Sequence, residues 1–552
     1  MYLWFLWISS LIVALVSWVS VGGGKQQQVV LILEERTPTR MVNTSSNDID
    51  SYERSRYHQK MVPTDQYEAK VQERLLKSLH QLDITSFHQN DVALTTQLIV
   101  ESMTQRGRVY HSMQHVWDVL TSYEKDASSY KQEQKQEEQP ILVLSILLHD
   151  LVYWSIDGEE FLPIQQQIIQ EDVIEIVEQQ EAEGPSRRRL RLSENITNDP
   201  ILSKVAQLFA MEPGKLIPNL GLNEFVSAVI GIQALMKFGI PEVQLLQIAT
   251  CIEATIPFRP MIDEATPMDR LYARLKAVIP EHSEEWYTQT IQMACRVANY
   301  DLGSFTDDSI DRNYFWDSSW KLIAEARPLL HHQGENAPLS EWYDELLSAL
   351  PKRMKFIQST LSKSLLFPHF GNVPTERDMK DMIRVTQSNL DLLEQYVQVR
   401  QLQIMVLVEF LKAMGISATN IPVGRILPMP FPAAGIPNES AMQNNSQDVV
   451  RNWLVHGGGR TSFAWDPQPP ADGDSMAAYL WDTLGPKAID SLIEGYNNNI
   501  PPNQQNAAQD NHLELLKAIP PELIQVLAVQ LGTVVPEFAE AAQQVPEHLG
   551  IS

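Results

Sequence analysis

The residues best suited to chemistry lie in two short strings. The first is Arg108-Val-Tyr110-His111-Ser-Met-Gln-His115-Val-Trp-Asp118, and the second is Leu147-Leu148-His149-Asp150. At a helical advance of about 100° per residue, His111, His115 and Asp118 fall within an arc of about 60°, because their offsets are four and seven. Met113, Val116 and Leu120 lie on another face. Such a helix packs with one side and presents imidazoles and a carboxylate with the other. The run Ile141 to Leu148 is apolar nearly all round apart from Ser145, so His149 and Asp150 come at the end of a buried rod. Buried polar side chains need partners, and a divalent metal satisfies both. Asp118 reads as a partner that steadies an imidazole rather than as a ligand. A bland reading stands beside this one: a surface histidine at 111, and a satisfied core cluster at 115, 149 and 150 without metal. Neither string is specific alone in a chain with 13 histidines; their order and their strong helical settings together are.

The elements that must position these residues are helices. Between about 64 and 355, apolar positions recur with a period near 3.6, and alternating strand patterns are scarce. Helices are expected near 66–81, 91–105, 108–124, 139–154, 222–237, 241–256, 284–301 and 313–326. Trp286, Trp316 and Trp320 read as core. Residues 176–200 join an acidic run to a basic run and read as a solvated insertion between helices, with an Arg-lined substrate entrance as the sharper alternative. A further helical block follows at 380–414, stopped by Gly415. Beyond it, 416–475 and 496–510 have the Pro/Gly/Asn-rich composition of linkers, with short helices near 475–494 and 512–546.

The order His115, then His149-Asp150, then a distant Asp on a later helix resembles the HD superfamily of metal-dependent phosphohydrolases. The string Tyr110-His111-x-x-x-His115-x-x-Asp118-Val119 also resembles the first metal-site helix of cyclic-nucleotide phosphodiesterases, but the sequence departs from them after Asp150, reading HDLVYWSIDGEE. It is more similar to a little-characterised group of predicted HD hydrolases with R-x-Y-H-x-x-x-H, then HD-x-x-Y, then a Glu about ten residues on. Arg108, Tyr110, Tyr153 and Glu159 or Glu160 occupy those places, and the likeness covers about residues 66–330. It implies an all-α, HD-domain-like helical bundle with one or two divalent metals, among which Mn, Mg, Zn, Fe and Ni are not distinguished. The fourth ligand it requires is best sought at Asp301, which ends an apolar helix as Asp150 does; Asp263, Asp307, Asp308 and Asp311 compete. The resemblance implies that His115, His149, Asp150 and Asp301 hold the first metal, that Asp150 bridges to a second held largely by water, and that metal-bound water attacks phosphorus. His111 would protonate the leaving oxygen. Glu159 and Glu160 read as solvated carboxylates or as contacts near the metal. Arg259 reads as a phosphate ligand or as a structural arginine.

Composition restricts the alternatives. The chain has 552 residues, with 69 acidic against 43 basic and a formal charge of −26. That excess argues against a general nucleic-acid coat or a binder of anionic membranes, since both need a positive field. With only Cys251 and Cys295, no disulfide framework and no Cys-based zinc site can be built; one bridge or two buried thiols remain open. Residues 1–21 carry no charge and precede Gly22-Gly23-Gly24, so 1–22 reads as a signal peptide or a single membrane anchor. Sequons at Asn43, Asn195, Asn438 and Asn444 accord with a secretory route.

The expected organisation is therefore 1–22 as leader or anchor, 23–63 as a flexible stem, 64–355 as the HD-like domain, 356–415 as a helical extension, and 416–552 as a Pro/Gly/Asn-rich region with short helices. The expected function is hydrolysis of a small phosphomonoester or phosphodiester. Two readings compete with it. One is a non-catalytic HD-derived binding or scaffold protein with a protein partner for its C-terminal region. The other is a diiron HD-type oxygenase, which needs further histidines between the HD pair and the last Asp, where only His282 occurs.

Overall fold

The computed structural model describes residues 64–551 apart from 106, 128–131, 170–172, 180–186, 327–336, 345–349, 363–364, 427–428, 432–445, 457–473 and 500–511. The expected leader or anchor at 1–22, the stem at 23–63, and the sequons at Asn43, Asn438 and Asn444 lie outside the described residues. The described part is all-α but for two small antiparallel two-stranded sheets. Among the described residues no helix is long and apolar enough to cross a membrane.

The N-terminal core is built from α1 (Thr64–Gln81), α2 (Gln89–Met103), α3 (Met113–Ala127), α4 (Gln132–Leu148), a short α5 (Pro163–Ile168), α6 (Pro200–Leu208), α7 (Leu222–Met236), α8 (Glu242–Ala254), α9 (Pro267–Val278) and α10 (Glu284–Asp301). From Ile141 to Asp150 every residue is buried, and α7 is buried from Phe225 to Leu235. Each fully buried Leu, Ile or Val in such a helix contributes about 1.5–3 kcal/mol from apolar transfer, which offsets the cost of ordering it. The α7–α4 crossing is close because residue 231 is glycine: a Cβ there would lie 3.2 Å from the Leu148 side chain. That contact presses α7 onto the last turn of α4, immediately before His149.

The second core changes over between Ala298, the last residue of the first apolar cluster, and Phe305, the first of the second. The sequence reading put a boundary at 355 instead, since the amphipathic pattern of α11 (Asn313–Ala326) looks the same whichever core it faces. Its centre is α14 (Glu376–Ala413), a 38-residue helix capped by the Thr375 side chain and buried without interruption from Val399 to Leu411. The regions read as linkers also supply core: Phe431 and Trp453 are buried, and Trp453 stacks on Trp316 with 4.7 Å between ring centroids. Their Pro- and Asn-rich surroundings mask a few large apolar anchors, and it is those anchors that pack. Helices α17 (Met476–Asn499, kinked at Gly485), α18 (His512–Ala518), α19 (Pro521–Val534) and α20 (Ala539–His548) complete this half. Helices α12 (Leu339–Asp344), α13 (Leu350–Ser362), α15 (Val423–Ile426) and α16 (Ser446–His456) contribute Leu339, Met354, Ile426 and Val450 to the same core. Trp316 and Trp320 are buried; Trp286 is only partly so.

Three local readings are corrected. The first site helix starts at Met113, not at 108, so Arg108, Tyr110 and His111 precede it. The fourth expected helix ends at Leu148, and His149-Asp150 form the turn that follows. Residues 176–200 are not simply an insertion: β1 (Ile174–Gln179) pairs with β2 (Arg187–Leu192), with Glu175 opposite Arg191 and Glu178 opposite Arg188. Ile174, Leu190 and Leu192 of this ribbon are buried, whereas Ile176 is exposed. Asn195 is exposed in the 3-10 turn after it.

Candidate metal centre

Four side chains from separate parts of the chain converge. His115 comes from the first turn of α3, His149 and Asp150 from the turn after α4, and Asp301 from the last position of α10. His115 Nε2 stands 2.8 Å from Asp301 Oδ1 and 3.8 Å from Asp150 Oδ2; His149 Nε2 stands 3.1 Å from Asp150 Oδ2 and 3.5 Å from Asp301 Oδ1. The ligand atoms of His115, His149 and Asp150 all lie within 4.8 Å of one another, a group able to hold a metal ion.

The orientation of these atoms matters more than their proximity. His149 Nδ1–H donates to the Ile146 carbonyl at 2.8 Å, which leaves Nε2 as the ring nitrogen that faces the cluster. Both His149 Nε2 and Asp150 Oδ2 are shut off from water and lack a hydrogen-bond partner, although they are so near each other. Two buried polar atoms in that state are costly unless a third group satisfies both. A cation fits that requirement, and the triad of two imidazole nitrogens and one carboxylate from His115, His149 and Asp150 suits several divalent ions.

Charge is concentrated accordingly. Burial opposes the His149 imidazolium, but Asp150 and Asp301 outweigh it and hold its pKa well above the usual value. Burial likewise raises the two carboxyls, yet the imidazoles hold Asp150 far below the ordinary range and Asp301 at about 2.

His111 is fixed from the other core. Glu325, buried on α11, accepts the His111 Nδ1–H on Oε1, and its Oε2 accepts the backbone N–H groups of Val109 at 2.7 Å, Tyr110 at 2.8 Å and His111 at 3.2 Å. Three successive N–H groups on one carboxylate form an anion nest. That nest is why the chain at 109–111 has not yet entered the helix. Burial pulls the His111 pKa down, but Glu325, Asp150 and Asp301 outweigh it and the net shift is upward. Burial pushes Glu325 up, while His111 and the nest N–H groups bring it below its usual value. The His111 ring lies on Tyr153, 4.2 Å between centroids, and Tyr110 lies on His115 at 4.5 Å.

The remaining residues singled out from sequence are placed as follows. Arg108 pairs with Asp157 through two bonds, Nε to Oδ1 at 2.8 Å and Nη2 to Oδ2 at 2.6 Å, and donates to the carbonyls of Asp150 and Leu151. It therefore clamps the backbone that carries Asp150. Asp118 accepts from Gln114 Nε2 at 2.8 Å, and burial raises its pKa. Glu160 pairs with Arg188 of β2, and Glu159 accepts the Arg188 backbone N–H at 3.3 Å, so both tie the hairpin to the loop after the HD pair. Arg259 and Arg274 both pair with the buried Glu253. Of the competitors for Asp301, Asp307 accepts the backbone N–H groups of Tyr314 and Phe315, Asp311 accepts from Asn313, and Asp263 is exposed in a loop. Cys251 and Cys295 are both buried and are not joined by a disulfide.

Sequence reasoning missed three residues here. Glu325 and Asp157 carried no motif. Glu224, in the first turn of α7, has its pKa raised to about 7 by burial and by the carboxylates of Asp150 and Asp301. The chain matches no protein-family model, no curated protein and no solved structure.

Proposed function

We propose that this protein is a metal-dependent phosphohydrolase of the HD type, acting on a small phosphomonoester or phosphodiester. The observation that carries the reading is the pair of buried atoms His149 Nε2 and Asp150 Oδ2, which lie 3.1 Å apart without a well-directed hydrogen bond, with His115 and Asp301 beside them.

In this reading the residues divide the work. His115, His149, Asp150 and Asp301 would hold the divalent ion, which when bound supplies charge neutralisation for the phosphoryl group and an activated water. Arg108, neutralised by Asp157, holds the Asp150 carbonyl and so fixes the carboxylate's approach. His111 keeps its Nδ1–H on Glu325, carries the transferable proton on Nε2, and gives it to the leaving oxygen. Glu325 stabilises the imidazolium before that transfer. With its side chain about 15% exposed, His111 can be recharged from water. The Tyr110 ring packs at a tilt on His115 and the Tyr153 ring at a tilt on His111. Cations at the site would also offset the repulsion between a chain of charge −26 and an anionic substrate.

Residues 1–22 carry the second part of the proposal: the protein enters the secretory route, secreted or anchored by one helix, which favours an extracellular or periplasmic phosphoester. The oxygenase alternative is weakened because His282 packs on Trp286, 4.1 Å between ring centroids, and so does not supply an additional ligand.

The test compares the purified wild type with His149→Ala and Asp150→Ala, measuring metal content by mass spectrometry and turnover on a panel of phosphoesters. The reading expects bound divalent metal and turnover in the wild type and loss of both in the variants. Equal turnover in all three, or iron alone without phosphatase turnover, would end it. Metal without any turnover would favour a binding or scaffold role.

A further inference from the structure

Asp301 enters the cluster from the last position of α10, and the chain turns sharply beyond it. Leu302 caps the helix by donating its N–H to the Ala298 carbonyl at 3.3 Å, and Gly303–Thr306 form one 3-10 turn, in which the Phe305 N–H reaches the Leu302 carbonyl at 3.0 Å. Ser304 and Phe305 of that turn are buried. Carbonyls that leave a helix for a buried turn need new partners, and here the second core supplies them. On α14, Asn389 Nδ2 donates to the carbonyls of Phe305 at 3.0 Å and of Asp307 at 2.8 Å, and Thr386 Oγ1 donates to the Phe305 carbonyl at 3.1 Å. Positions 386 and 389 are three apart and so share one face of the helix.

Both side chains are fully buried, among Leu390, Leu392 and Leu393 of the same helix. The Asn389 amide gives its NH2 group to two carbonyls while its Oδ1 is shut off from water without a hydrogen bond. An unpaired buried oxygen weakens the core, and a leucine would not carry that defect. What the amide accomplishes is to fix the path of the chain directly after Asp301. A residue at a helix end needs such a fixture, because terminal turns fray, and the Asp301 carboxylate has to stay 2.8 Å from His115 Nε2.

We propose that Asn389, with Thr386 beside it, is a positioning residue for the Asp301 carboxylate, so that α14 of the second core completes the metal site. The proposal rests on the metal reading above and assigns part of the site's affinity to a helix that touches none of its ligands. The test titrates Mn2+ into the metal-free full chain, with unbound Mn2+ read by electron paramagnetic resonance, and records amide hydrogen exchange at residues 301–307 before metal is added. Wild type is compared with Asn389→Leu, Thr386→Val, Thr386→Ser and Tyr496→Phe. Tyr496→Phe weakens the second core alone: the Tyr496 hydroxyl donates to Glu409 Oε1 at 2.7 Å, 20 residues and about 30 Å farther along α14 than Asn389. The expected result is Mn2+ binding about 10-fold weaker in Asn389→Leu, weaker also in Thr386→Val, restored in Thr386→Ser and unchanged in Tyr496→Phe, with faster exchange at 301–307 in the first two only. Wild-type affinity in both Asn389→Leu and Thr386→Val overturns the proposal, and so does an equal loss in Tyr496→Phe, which makes the effect one of general stability. Should Asn389→Leu fail to fold, the contrast between Thr386→Val and Thr386→Ser decides. No bound Mn2+ in the wild type would instead overturn the metal reading itself, and the exchange rates would still judge whether α14 holds the Asp301 turn.

Discussion

Replacing Glu325 with Gln tests how the second core governs the site. The carboxylate receives four bonds, one from the His111 imidazole and three from backbone N–H groups. A hydrogen bond to a charged group contributes about 1.5–3 kcal/mol and a neutral one about 0.5–1.5, so neutralising the acceptor costs about 1 kcal/mol per bond. Gln also has one oxygen in place of two, so either the imidazole or the nest faces an amide NH2. Together these predict a loss of about 4 kcal/mol, within the range of about 3–5 for breaking a buried pair from one side. The pH dependence has a definite sign. The His111 pKa is raised on folding, so its stabilisation is complete below the usual 6.5 and is lost as pH rises through the folded value. Glu325 is lowered on folding, so its stabilisation is complete above the usual 4.5 and is lost as pH falls through the folded value. The pair therefore stabilises most between those limits, and Glu325→Gln should flatten both flanks. Urea denaturation across pH 4 to 9 measures this, and the alkaline limb of turnover should move to lower pH as the His111 pKa falls. A variant with wild-type stability and an unmoved pH profile would refute the reasoning.

Other perturbations reach the site through its supports. Asp157→Asn leaves the buried Arg108 without a counter-ion and should cost about 3–5 kcal/mol in chemical denaturation, with weaker metal binding because the Asp150 carbonyl is released. Gly231→Ala puts a Cβ 3.2 Å from Leu148 and should cost about 1–3 kcal/mol, read as a fall in the denaturation midpoint. Metal affinity should rise with pH, because the ion displaces a proton from His149, whose pKa stands well above its usual value. Calorimetric titration in buffers of different ionisation enthalpy should accordingly show proton release on binding.

How much of this was legible in the sequence depended on the range of the signal. Helix periodicity is local, so α1, α2, α7, α8, α10 and α11 were readable within a few residues, whereas the bounds of α3 and α4 were not. His115, His149 and Asp150 stood out because polar groups at the ends or on one face of apolar helices demand partners. Asp301 shared that position at a helix end. The start of α3 was not legible, since its delay to Met113 depends on a carboxylate 214 residues away from His111. Glu325 looks like one more solvated acid on an amphipathic helix, and Glu224 like an ordinary first-turn acid favoured by the helix dipole. Nothing local distinguishes either from its neighbours. The second core was hidden for the opposite reason: Trp453 and Phe431 are strong anchors set in weak, Pro- and Asn-rich surroundings.

Anomalous diffraction from crystals grown with Mn2+ tests most directly whether His115, His149, Asp150 and Asp301 hold a cation. The account predicts a strong peak at coordination distance, about 2.0–2.3 Å, from His115 Nε2, His149 Nε2 and oxygens of Asp150 and Asp301. It is contradicted if the same crystals show no ion there and His149 Nε2–H is instead bonded directly to a carboxylate.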